Sequence, residues 1–236
     1  MLQAATLKFL KDLKKNNNKP WFEKNKSAYL DAKEDIEHFV ELVIDGLGKI
    51  DPDIALLKPK DCLYRIYRDV RFSKDKTPYK TNMGASFNKG GKKVQSAGYY
   101  FHCEPGNNMV GGGLYMPMAP ELGKARQEID YNFSEWKKIV NHKGFKKLFP
   151  DGVEGIENLS RPPKGYDDQN PAIEFLKMKS YIVTHSPSDA DLQSKSLLKD
   201  VLKTFQTMKD FIDFLNRSIE LIKGGPVLQN SPPFIN

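Results

Sequence analysis

Cysteine is almost missing from this 236-residue chain: only Cys62 and Cys103 occur, well apart. Two thiols at that separation make neither a disulfide framework nor a zinc knuckle, so an apolar core must hold the fold. Small, semi-buried thiols of a reduced cytoplasmic protein are the expectation. Histidine is scarce too, at four residues, and His38, His102, His142 and His185 lie too far apart for metal-ligand spacing. No metal and no cofactor is expected. No apolar run approaches the roughly 18 residues that cross a bilayer. The opening stretch MLQAATLKFLKDLKK lacks the apolar segment and cleavage site of a signal peptide and reads as an amphipathic helix. Nucleotide motifs are also lacking. Gly111-Gly112-Gly113 is followed by no Lys-Ser/Thr, and no GxGxxG is present. Those glycines fit a place where backbone, or a ligand, comes close.

Arginine is the most informative scarcity. Six arginines stand against 31 lysines, and three of the six are Arg65, Arg68 and Arg71. They open RIYRDVRFSKDKTPYKT (Arg65 to Thr81), which carries much of the chain's net charge of +7. Arginine grips carboxylate or phosphate through a planar fork, whereas lysine is a hydrated point charge used freely on surfaces. A basic chain favours acidic partners, and this segment is where to look for one.

What is present otherwise is ordinary globular material: 39% hydrophobic and 28% charged residues. A short helix through Leu7, Leu10 and Leu13 should end at Asn16-Asn17-Asn18. Asn18 then caps a second helix that starts at Pro20 and runs to Leu47. From Leu63 to Met116 the pattern changes to extended pieces broken by glycine. Leu63 to Phe72, Met83 to Phe87, Gly98 to Cys103 and Met109 to Tyr115 read as strands joined by hairpin turns. Lys179 to Thr184 adds one more strand, returning to the same sheet. Ser188 with Asp191 resembles a capping box opening a long helix, whose seam is Val201, Phe205, Met208, Ile212, Leu215 and Ile219. The expected fold is α+β: an antiparallel sheet of about five strands flanked by long N- and C-terminal helices, with a loose tail from 221 to 236.

If Leu63 to Phe72 is a strand, period two puts Arg65, Tyr67, Asp69 and Arg71 on one face. Arg68 then falls among Ile66, Val70 and Phe72 on the other, where a guanidinium demands a partner. Three readings stay open. One is an anion-binding pocket, another a nucleic-acid surface using the same basic groups, and the third a salt-bridged turn with no ligand.

Six stretches recur together in a recognisable order: WFEKNKSAY, RIYRDVRFSKDKTPYKT, GYYFHCEPG, GGGLYMP, RPPKGYD and LKMKSYIV. With them the chain resembles the bacterial and fungal family called domain of unknown function 2461, over nearly its whole length. The resemblance implies a single domain from about residue 3 to 220 and carries no activity with it.

The favoured expectation from the residues is a pocket for an anionic small molecule such as a nucleotide, phosphate ester or carboxylate. Arg65, Arg68 and Arg71 would grip the anion, and Lys76, Lys80 and Arg126 would add field. Tyr79 or Tyr100 would bound the pocket, and His102 is the candidate for proton transfer.

Overall fold

The computed structural model describes residues 1–220. The N-terminal helix α1 (Ala4–Lys15) is followed by α2 (Lys19–Lys24) and α3 (Lys26–Leu47). Asn18 caps α2, its side-chain oxygen accepting the Trp21 N–H at 3.0 Å. The sequence predicts one helix from Pro20 to Leu47, and the structure breaks it at Asn25. There the side chain donates to the Trp21 carbonyl at 2.8 Å, which also accepts the Asn25 backbone N–H at 3.0 Å, a local side-chain bond that competes with continuation of the helix. Along α3 the residues Ala32, Ile36, Phe39, Val40, Val43, Ile44 and Leu47 recur at helical spacing and are all buried.

After the short α4 (Pro59–Cys62) comes the sheet, with β1 (Met83–Phe87), β2 (Gly98–Cys103), β3 (Met109–Leu114) and β4 (Tyr181–His185). The strands lie in sequence order and every neighbouring pair is antiparallel. Four strands form where about five are expected. The missing one is Leu63 to Phe72, which makes only isolated bridges, Leu63 to Ala85 and Tyr67 to Tyr79. Those two pairings differ in register by two residues, so no continuous ladder can run along the segment. It forms an irregular ribbon along the edge of β1, anchored by Tyr64 N–H to the Gly84 carbonyl at 3.0 Å and Lys80 N–H to the Ile66 carbonyl at 2.7 Å.

Between β3 and β4 run α5 (Ala119–Tyr131), α6 (Phe133–Val140), α7 (Lys143–Leu148) and α8 (Ile173–Leu176). After β4 come α9 (Asp189–Leu192), α10 (Leu197–Thr207) and α11 (Lys209–Glu220). The Ser188 capping box is present. The single long helix expected beyond it is divided, with one break at Met208. Just before it, Thr204 and Thr207 turn their hydroxyls back onto the carbonyls of Asp200 and Lys203, a bond that bends helices. The seam is buried at Val201, Phe205, Met208, Ile212 and Leu215 and partly buried at Ile219. The tail from 221 lies outside the described residues.

The helices cover one face of the sheet. Phe39 packs on Phe101 at 4.9 Å between ring centroids, and Phe205 packs on Tyr99 at 5.2 Å. Period two therefore sends Tyr99, Phe101 and Cys103 into the core and turns Tyr100 and His102 to the opposite face.

Candidate functional site

On that second face three side chains of β2 and its end stand in a row. The Tyr100 hydroxyl lies 3.0 Å from His102 Nδ1, and His102 Nε2 lies 3.4 Å from Glu104 Oε2. Glu104 is held in turn by Thr81 Oγ1 at 2.7 Å and Asn107 Nδ2 at 3.0 Å. Burial, with Tyr64, Tyr115 and Glu104 nearby, pushes the Tyr100 phenol up to about 12, so it keeps its proton at neutral pH. The Glu104 carboxylate only accepts, so Nε2, which faces it, carries the imidazole proton, and the Tyr100 O–H donates to Nδ1. Burial also holds His102 below its ordinary value, against the pull of Glu104. Burial alone would raise Glu104, but hydrogen bonds from Asn107, Thr81 and His102 keep it below the usual carboxylate range.

The sign of the resulting pH dependence is fixed. Below about 6.5 the unfolded chain protonates this histidine, while the folded chain does so only at its lower pKa. Stability should therefore fall as pH drops through that interval. Urea unfolding at pH about 5 and about 7.5 measures the effect, and His102→Gln should remove that part of the difference.

Beside this row the ribbon contributes Lys80, Tyr64 and Arg65. The Lys80 ammonium sits 5.3 Å from the Tyr64 ring centroid, and Tyr64 meets Tyr100 edge-on at 6.4 Å. Lys80 is half-buried, and among the described residues it has no hydrogen-bonding or carboxylate partner for its ammonium. Burial and then the charge of Arg65 hold its pKa below the lysine value. Arg65 is exposed and likewise has no ion pair among the described residues. Two cations thus lie near each other without a counter-charge of their own, next to a neutral histidine.

The other residues singled out from sequence go elsewhere. Arg68 is occupied: its guanidinium binds Asp75, the Thr77 hydroxyl, and the Thr77 carbonyl at 3.2 Å. The hydrogen bonds of Thr77 and Arg68 bring Asp75 down to about 2. Arg71 forks onto Asp69 at 2.9 and 2.7 Å and stays exposed. Lys76 donates to the Val70 carbonyl at 3.0 Å. Tyr79 is buried and stacks on Phe22, 3.9 Å between centroids and 12° between planes, so it bounds no pocket. Arg126 donates to the Met178 carbonyl at 3.0 Å, beside β4 at the far edge of the sheet. The three clustered arginines therefore do not converge. Arg68 pins the turn from 68 to 77, and Arg68→Met should lower the melting temperature by about 3–5 °C in a thermal unfolding curve.

Sequence reasoning places Glu104 beyond Tyr100 and His102 on one face but passes over Tyr64 and Gly84. A methyl group on Gly84 would fall 2.7 Å from the Tyr100 hydroxyl, so the bare backbone of β1 makes room for the phenol. The alternation of β2 puts Glu104 in step with His102. The glycine triplet serves pairing: side chains at Gly111 and Gly113 would strike the carbonyls of Val183 and Tyr181 on β4. Both cysteines are buried free thiols pushed up to about 12, mainly by burial, which keeps them out of thiolate chemistry. Among the described residues no three His, Cys, Asp or Glu are grouped to hold a metal, and no helix is long and apolar enough to cross a membrane. A cleft of about 860 Å³ lies on the helical side, lined by Asp51, Tyr99, Asp213 and Arg217 among others, and includes none of the residues singled out above.

No curated protein and no solved structure matches the chain. The model of one family does match, over residues 5–214, a span that takes in the ribbon and the β2 row just described. The chain belongs to the conserved hypothetical protein family DUF2461.

Proposed function

We propose that the open face of the sheet binds an anionic small molecule, a phosphate ester or a carboxylate, between Lys80, Arg65 and the Tyr100–His102 pair. The observation that carries this reading is Lys80. A half-buried ammonium without a carboxylate partner loses hydration and gains little from the protein, so it is costly unless an anion completes it. Arg65 beside it adds charge that has no ion pair among the described residues, and Tyr64 and Tyr100 offer ring surface next to it. Arg68 and Arg71, spent on Asp75 and Asp69, shape the adjoining turn without touching the ligand. The setting is a reducing, cytoplasmic one in which Cys62 and Cys103 remain thiols.

Thermal unfolding with inorganic pyrophosphate, phosphate and dicarboxylates tests the reading. At a hundredfold excess over Kd a ligand adds about 2.7 kcal/mol, which in a chain of this size raises the melting temperature by roughly 5–10 °C. No shift with any of these anions would sink the reading. A short oligonucleotide is the comparison. A site for a small anion is saturated by pyrophosphate with a shallow salt dependence, whereas a phosphate-backbone surface loses affinity steeply with salt.

A further inference from the structure

We propose that Tyr100 is a catalytic general base on this face, with His102 and Glu104 behind it as its proton relay, acting on a bound anion that carries a removable proton. The inference rests on the anion-binding reading above and adds a reaction class to it. Its basis is the continuity of the row. The Tyr100 hydroxyl reaches His102 Nδ1 at 3.0 Å, the ring reaches Glu104 at 3.4 Å, and both Glu104 oxygens are fixed, one by Thr81 and the other by Asn107. The backbone around Glu104 is fixed as well. Its N–H donates to Asn108 Oδ1 at 3.1 Å, and buried Asn108 is tied to Asp189 at 2.9 Å. A hydroxyl, a base within hydrogen-bond reach, and a third group that orients the base are the arrangement of an activated oxygen.

The phenol oxygen lies over Gly84, where β1 has no side chain. Its O–H is committed to His102, which leaves its lone pairs for a proton arriving from elsewhere. Tyr64 stands edge-on to the Tyr100 ring, and the Lys80 ammonium, with no carboxylate partner among the described residues, lies against Tyr64. An anion held by Lys80 can therefore present an X–H bond to the phenol oxygen. In the step, the X–H bond breaks and its proton bonds to the Tyr100 oxygen, while the proton already on that oxygen passes to His102 Nδ1. The electron pair stays on X, where Lys80 meets the new negative charge, and the imidazolium faces Glu104. Nothing is oxidised or reduced, and the reverse transfer restores the resting state. The raised phenol and lowered imidazole give the starting protonation that this sequence needs, O–H on tyrosine and a neutral ring.

The test uses the full chain and 5-nitrobenzisoxazole, which a base converts to a coloured phenolate by removing a carbon-bound proton as the N–O bond opens. The expected result is a saturable rate roughly tenfold or more above buffer, inhibited by pyrophosphate and lost in Tyr100→Phe. Glu104→Gln should lower the plateau and move the acid limb of the pH–rate profile to lower pH, since the imidazolium loses its counter-charge. Wild-type protein that binds pyrophosphate but reacts no faster than buffer overturns the relay and leaves the anion site standing. Protein that binds no pyrophosphate removes both. An unchanged rate in Tyr100→Phe assigns the base to His102 and overturns the role of Tyr100. If Tyr100→Phe does not fold, the 15N spectrum of the wild-type ring decides. His102 must carry its proton on Nε2 at neutral pH, and the opposite tautomer overturns the proposal.

Discussion

Lys80→Met is expected to weaken pyrophosphate binding by roughly one to two orders of magnitude while leaving the unliganded protein at least as stable as its parent. Two opposite consequences follow from one geometry. The ammonium is half-buried against Tyr64 and has no carboxylate among the described residues. Methionine keeps the apolar stem over the ring and removes the charge that burial disfavours, which offsets the lost contact of the ammonium with the Tyr64 ring. An anionic ligand, by contrast, loses the group that meets its charge. Residues kept for binding at the expense of stability behave in this way, whereas a structural lysine shows the reverse pair of effects. Calorimetric titration gives the affinity and a thermal melt gives the stability. Unchanged affinity with a lower melting temperature would make Lys80 a structural residue.

Gly113→Ala should cost about 3 kcal/mol or more, a fall in melting temperature on the order of 10 °C. Gly113 has φ +129°, a conformation that L side chains rarely adopt, and a Cβ there would strike the Tyr181 carbonyl oxygen. That oxygen belongs to β4 where it pairs with β3, so neither backbone can give way without opening the ladder. Gly106 is the control. It also has positive φ, at +80°, but a Cβ there meets nothing within 4 Å, so Gly106→Ala should show only the conformational cost of about 1 kcal/mol. Chemical unfolding of the two variants separates strain from collision. Equal losses would show that the crowding at Gly113 is relieved by relaxation.

Local rules made most of the sheet legible. Met83–Phe87 and Gly98–Cys103 follow from alternation bounded by turn residues, and both strands form with those bounds. The seam from Val201 to Leu215 is legible for the same reason, because burial follows helical spacing whether or not the helix is continuous. What local rules miss are choices between competing partners. Alternation in Leu63 to Phe72 suggests a strand, but the two registers of its bridges prevent a ladder. Arg68 is marked as needing an acidic partner or an anionic ligand, and Asp75, only seven residues on, pairs with it. Asp69 takes Arg71 over a shorter distance still. Charge pairs that close within a turn cannot be told from free cations by composition. Lys80, less conspicuous in a chain of 31 lysines, lies against the Tyr64 ring with no carboxylate partner among the described residues. Tyr79 could not be placed from sequence at all. Its stacking on Phe22 depends on a contact between segments more than fifty residues apart in the chain.

The most direct test of a Lys80-centred anion site is a titration of isotopically labelled protein with pyrophosphate, followed residue by residue by NMR. Saturable shifts centred on Tyr64, Lys80, Tyr100 and His102, absent in Lys80→Met, are the expected result. Shifts confined to the Arg68–Lys76 turn or to the cleft beside Tyr99 and Arg217, or none at all, would contradict it.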